Sequence, residues 1–314
     1  MKKFFIGFLK GLGYFGIYFG MQLLVTTIYS IVGMIPVAVK YSMSGQNVFE
    51  PEIFDRYMEE VIQVVVDSAM PAVVISGILT IGLLWLIFVC RKKKFAREIC
   101  LRKLQPVRIA PIVLMGLSLN VVTGLVLSFI PEEWMSAYAE ASSLIVSDNV
   151  VLMVLGTAVM APIIEEIIFR GLAYTRMKQG MPTAVAVILS SALFGVAHGQ
   201  WVWMLYAFTF GLVLVWVFER SKSLLANILL HFSYNGCAML QLLIPEDAPE
   251  SVWIAINIGA VVVAVISIIW FAMLPKAEGP AVETGTVTVG TAPAAAAEAT
   301  AETVETADEI KQNE

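Results

Sequence analysis

Apolar runs, several of them reaching the roughly 20 residues needed to cross a hydrocarbon core, recur along this chain. They predict eight spans, near 12–38, 70–90, 107–130, 150–172, 183–199, 202–218, 223–244 and 253–274. Apolar residues make up 59% of the 314 and charged residues 14%, against roughly 45–50% apolar in a soluble domain. The polar surface is too small to cover that much oil in water, so the expected fold class is all-α, a polytopic membrane protein of about eight transmembrane helices around an internal cavity. Membrane lipids are its expected surroundings.

Charge placement tests the count independently. The loops on one side (40–68, 131–149, 245–252) hold 13 acidic residues and, as bases, Lys40 and Arg56. The segments on the other side (1–11, 91–108, 173–182, 219–222 and Lys276) hold 16 basic residues against Glu98 and Glu219. That asymmetry predicts cytoplasmic N- and C-termini, in a bacterial plasma membrane to judge from the short loops and compact size. The Lys2-Lys3 start resembles a signal peptide, but the apolar stretch behind it exceeds a signal h-region, so a retained first helix is expected. Cys90, Cys100 and Cys237 show no metal-type spacing and are expected to be spectators.

Residues 1–276 are read as the helical domain, with an amphipathic stretch from Phe54 to Val66 expected as a short helix outside the membrane. The loop from Arg91 to Arg108 carries eight positive charges and one negative, which suits holding topology and touching anionic head groups. Residues 277–314 turn to Ala, Thr, Glu, Val, Pro and Gly, with a net charge of −7, and read as a disordered acidic tail. No Gly-rich phosphate loop or helicase-like signature is found, and nucleic acid is not an expected partner.

Three ionised residues remain inside predicted spans: Glu165, Glu166 and Arg170. Each costs roughly 2.5–3.5 kcal/mol at a helix centre on insertion scales. Glu166 and Arg170 are four apart, share a helical face and are expected to pair. Glu165 points about 100° away and is left free, as a general base would be. Both histidines of the chain also lie in apolar spans, His198 after Phe194-Gly195-Val196-Ala197 and His231 four residues before Asn235, on one face with it. Two imidazoles and a carboxylate suit a catalytic Zn²⁺ with an open position for water. The same groups could polarise water without metal, Glu165 acting as base while an amide and an imidazole steady an oxyanion.

These patches resemble the motifs of the CAAX prenyl protease and bacteriocin-processing family: Glu165-Glu166 with Arg170, Phe194 with His198, and His231 with Asn235. The resemblance covers about 150–240. It implies an eight-helix fold with a cavity and endoproteolysis by activated water near the cytoplasmic side, on a membrane-associated peptide that could be prenylated or bacteriocin-like. It implies Glu165 as base or ligand, His198 and His231 as ligands or polarisers, and Asn235 as an oxyanion or binding group. Glu166 belongs to the same catalytic set, with Arg170 and Phe194 supporting it. A divalent metal, zinc first, held by Glu165, His198 and His231, is the expected cofactor, with metal-independent glutamate chemistry as the other version. The competing readings are a non-catalytic immunity or scaffold protein and a proton-coupled transporter.

Overall fold

A computed structural model describes residues 1–143, 149–245 and 247–278. The chain divides into a unit Met1–Ala277 and a unit Glu278–Glu314. The expected acidic tail therefore lies outside the described residues, apart from Ala277 and Glu278.

The described residues contain helices and no strands. In chain order the helices are α1 (Lys2–Met43), α2 (Pro51–Cys90), the short α3 (Phe95–Glu98), α4 (Ile109–Leu127) and α5 (Glu132–Ser143). They continue as α6 (Val150–Lys178), α7 (Thr183–Val196), α8 (Trp201–Ser221), α9 (Leu224–Gln241) and α10 (Glu250–Met273). Among the described residues six helices, α1, α2, α4, α6, α8 and α10, are long and apolar enough to cross a membrane. The short apolar α7 and the polar-striped α9 complete the eight expected from the sequence. The chain is an integral membrane protein.

Several boundaries move. At 1.5 Å per residue α1 is roughly 63 Å long, about twice a hydrocarbon core, so it projects beyond the membrane. The stretch Phe54–Val66 is not a separate short helix but the first half of α2, which starts with Pro51 in its first turn, where a missing N–H costs nothing. The projecting end of α1 is fastened to it by Lys40 Nζ and Glu60 Oε1 at 2.6 Å and by the edge-to-face rings of Tyr41 and Tyr57. The loop 131–149 contains α5, which the hydropathy of the sequence does not announce.

The basic segments meet at one end of the bundle. Arg176 pairs with Glu98, and Lys178 and Lys222 both reach Glu219, at 2.6 and 2.7 Å. The basic loop also folds back on the helices: the Cys100 carbonyl accepts from the Leu224 N–H at 3.0 Å and the Arg102 carbonyl from the Ser223 hydroxyl at 2.6 Å, satisfying groups at the start of α9. Arg220 Nη2 binds the Leu274 carbonyl at 2.7 Å, tying the end of α8 to the end of α10.

α6 is the central element, touching α1, α2, α7 and α9. All residues of its Ile167–Tyr174 stretch are buried. In lipid, helix association depends on close packing rather than on hydrophobic transfer, and small residues permit it. Gly116 of α4 supplies such a contact beside the site: a Cβ there would lie 2.6 Å from the Leu230 carbonyl oxygen of α9. Gly116→Val should therefore destabilise the protein by about 1–3 kcal/mol in detergent unfolding. Gly124→Val, with nothing within 4 Å of the new Cβ, serves as the neutral comparison.

Candidate active site

Pro162 explains the local shape of α6. Residues Val154–Met160 form widened π-helical turns, and the Ala161 N–H bonds the Gly156 carbonyl, five residues back. The Thr157 carbonyl thereby loses its α-helical donor, Ala161. Its π-helical donor would be residue 162, a proline with no N–H. Asn235 of α9 fills the gap, its Nδ2 donating to the Thr157 oxygen at 2.7 Å. A second π-helical stretch follows at Ile167–Tyr174, leaving Ala161–Glu166 as an α-helical segment between two widened ones. Such insertions recur at functional positions because they re-aim side chains without ending the helix.

Glu166 is fully buried and satisfied from three directions. Its Oε1 accepts from Arg170 Nη1 at 2.9 Å and faces His231 Nδ1 at 2.9 Å, while Oε2 accepts from Asn227 Nδ2 at 3.2 Å. Arg170 is held in turn, its guanidinium carbon 4.1 Å from the centre of the Phe194 ring. A carboxylate against Nδ1 makes that nitrogen the donor and leaves Nε2 of a neutral His231 with a free lone pair. That Nε2 lies 3.8 Å from Glu165 Oε2, too far for a direct hydrogen bond. Among the described residues Glu165 has no hydrogen-bond partner.

His198 follows the same plan. Its Nδ1 sits 2.8 Å from the Phe194 carbonyl oxygen, so Nδ1 carries the proton and Nε2 is free. The Phe194 ring packs edge-on to both imidazoles, with centroids 4.9 Å from His198 and 5.9 Å from His231.

Glu165, His198, His231 and Asn235 all line one cavity of about 920 Å³, within the range of small-molecule and peptide pockets. Depth counting on the expected spans separates Glu165 from His198, and the extension of α6 to Lys178 removes the discrepancy. Measured along the axes at 1.5 Å per residue, Glu165 is roughly 20 Å from Lys178, and Val196, just before His198, is roughly 20 Å from Thr183.

The wall extends into the half of the bundle that meets the acidic loops, with Tyr138 and Ser142 of α5, Ala197 after α7, and Leu242 after α9. No wall residue comes from the basic segments. Glu165 and His231 stand near the middle of α6 and α9, and the basic loop is packed into its own end of the bundle.

The side chains expected to hold a metal carry suitable donor atoms. Glu165 and His231 face each other, and His198 has the right free nitrogen. Among the described residues, however, no group of three or more His, Cys, Asp or Glu side chains is gathered closely enough to hold a metal ion.

Asn227 is the residue that the sequence reading missed. It lies four before His231 as Asn235 lies four after, so Asn227, His231 and Asn235 form one polar row along α9. That row was the available signal.

Comparison with known proteins converges on the same region. Residues 147–237 match the family model described as type II CAAX prenyl endopeptidase Rce1-like, a range that contains every residue of the site above except those lent by the surrounding wall. The Bacillus subtilis (strain 168) protein named "Putative membrane peptidase YdiL" is 28% identical over 94 residues, which is 30% of this chain and 38% of that protein. The chain thus aligns with well under half the length of the curated relative that it matches. No solved structure matches the chain.

Proposed function

We propose that this chain, a member of the CAAX-protease and bacteriocin-processing family by its match over residues 147–237, is an intramembrane endopeptidase of a bacterial plasma membrane, with both termini cytoplasmic. The observation that carries the reading is Glu165, without a hydrogen-bond partner among the described residues, set 3.8 Å from His231 Nε2 at the cavity wall, while Glu166 fixes the far side of that imidazole.

The geometry supports a division of labour. Glu165 takes a proton from a water whose second hydrogen is held by His231 Nε2, and the oxygen attacks the scissile carbonyl. Asn235 uses one N–H on Thr157 and has the other for the oxyanion. Glu165, now protonated, returns the proton to the leaving amine. His198 presents Nε2 as a second acceptor for substrate or water. Glu166, Arg170, Phe194 and Asn227 position His231 and touch no reacting atom.

The direct test incubates the purified chain in liposomes with a library of membrane peptides in H₂¹⁸O. New carboxyl termini carrying one ¹⁸O are expected. No cleavage of any peptide by the folded protein would refute the reading.

Glu165, His198 and His231 are the groups that would hold a divalent cation, zinc first by donor type, and the ion would polarise the carbonyl and the water. Since the three are not gathered, the water-activating step is assigned to Glu165 itself. Cleavage should therefore survive exhaustive chelation. Loss on chelation, with recovery on adding zinc and near-stoichiometric zinc in elemental analysis that disappears in His231→Ala, would make Glu165 a ligand instead of the base.

A further inference from the structure

We infer that the cavity admits a neutral or cationic stretch of peptide whose own C-terminal carboxylate lies far from the scissile bond, so that this chain cuts internally and does not trim a short acidic C-terminus. The inference rests on the proteolytic reading above and concerns what that site accepts.

The first ground is charge. Among the described residues Glu165 is the one formally charged side chain on the cavity wall, and no lysine or arginine reaches it. Arg170, the nearest buried cation in the sequence, is committed to Glu166 and the Phe194 face. A bond cut three residues from a free C-terminus would bring a carboxylate into this space beside Glu165. It would lose its hydration with no cation to replace it and be repelled by the base. An internal segment brings no such charge.

The second ground is the field at the mouth. The cavity reaches α5 and the ends of α7 and α9, and the described residues of the flanking segments there include Glu132, Glu133, Asp247 and Glu250 and no base. That field draws cationic peptide towards the opening and holds anionic peptide away.

The third ground is what the wall offers instead of charge. Gln241 Nε2 donates to Asn120 Oδ1 at 2.7 Å across α9 and α4, and both residues line the cavity. Whichever amide donates, the pair keeps one free donor and one free acceptor. Those are the two groups that one residue of an extended peptide backbone presents. Gln22 of α1 stands on the same wall. The wall is thus equipped for uncharged backbone in an apolar setting.

The test uses the full chain in liposomes and apolar peptides in twin forms, one ending in a free carboxylate and one in a carboxamide. The scissile position is set either three residues or more than eight residues from the end. For the near position the amide twin should be cut at least about tenfold faster; for the far position the twins should be cut equally. Equal or faster cutting of the near carboxylate form would overturn the inference while leaving the protease reading intact. Failure to cut any peptide would remove the protease reading and this inference together. A cation placed on the wall gives a second measurement. Gln22→Arg should raise cleavage of the near carboxylate twin relative to its amide by about tenfold, and an unchanged ratio in the folded variant would count against the charge argument.

Discussion

Replacing Glu165 by alanine is expected to lower peptide cleavage by about 10³-fold or more while leaving the protein folded, and even somewhat more stable. Positioned acid–base groups contribute about 10²–10⁴-fold, and in the proposed reaction Glu165 acts twice, as base towards water and as acid towards the leaving amine. The stability side follows from its surroundings. Its side chain keeps 15% of its accessibility at the cavity wall and has no hydrogen bond among the described residues. An ionised carboxylate at mid-helix costs roughly 2.5–3.5 kcal/mol on insertion scales, and removing it relieves part of that cost. A catalytic group held against stability is the usual trade at an active site. The paired measurement is cleavage rate and unfolding temperature in the same detergent. Retained turnover would end the proposed role, and an unfolded variant would show that Glu165 holds the bundle together instead.

The contrast between Glu165 and Glu166 was legible in the sequence because it needs no more than helix geometry. A spacing of four puts Arg170 on the face of Glu166, and the observed pair is where that spacing puts it. The number of spans and the end at which the basic segments meet were legible for similar reasons, since apolar run length and loop charge act locally. Other features depend on contacts between distant segments. The link between Glu166 and His231 joins residues 65 apart, and no pattern within either helix states it. The widened turns around Pro162 show in the sequence only as a proline that an ordinary reading takes for a kink; their meaning appears once Asn235 is seen on the orphaned Thr157 carbonyl. The packing of the basic loop was not legible either, because a charged loop is normally a solvated one. Here residues 99–102 pack against α6 and the start of α9, with Ile99 against Gly171, where even a Cβ would crowd the Ile99 carbonyl at 3.1 Å. The basic end is filled, and the open space is left at the other.

The second large effect is expected at Arg170, which touches no substrate. Arg170→Met keeps the volume near Phe194 but leaves Glu166 ionised and fully buried, with His231 and Asn227 as its remaining donors. Breaking a buried pair from one side costs about 3–5 kcal/mol, because the surviving charge is uncompensated. Arg170 is also one of the three contacts that orient Glu166 and, through it, His231 Nδ1, so cleavage should fall together with stability. The double variant Glu166→Gln/Arg170→Met removes both charges and can keep an amide oxygen for Nδ1. It should recover most of the lost stability, since neutralising both members of a buried pair is often close to neutral, and part of the activity. Unfolding temperatures of wild type, the two single variants and the double variant close a thermodynamic cycle. A coupling near zero would mean that the pair is incidental. A large coupling with activity unrestored in the double variant would mean that His231 needs the negative charge of Glu166, and not merely its hydrogen bond, to hold water against the scissile carbonyl.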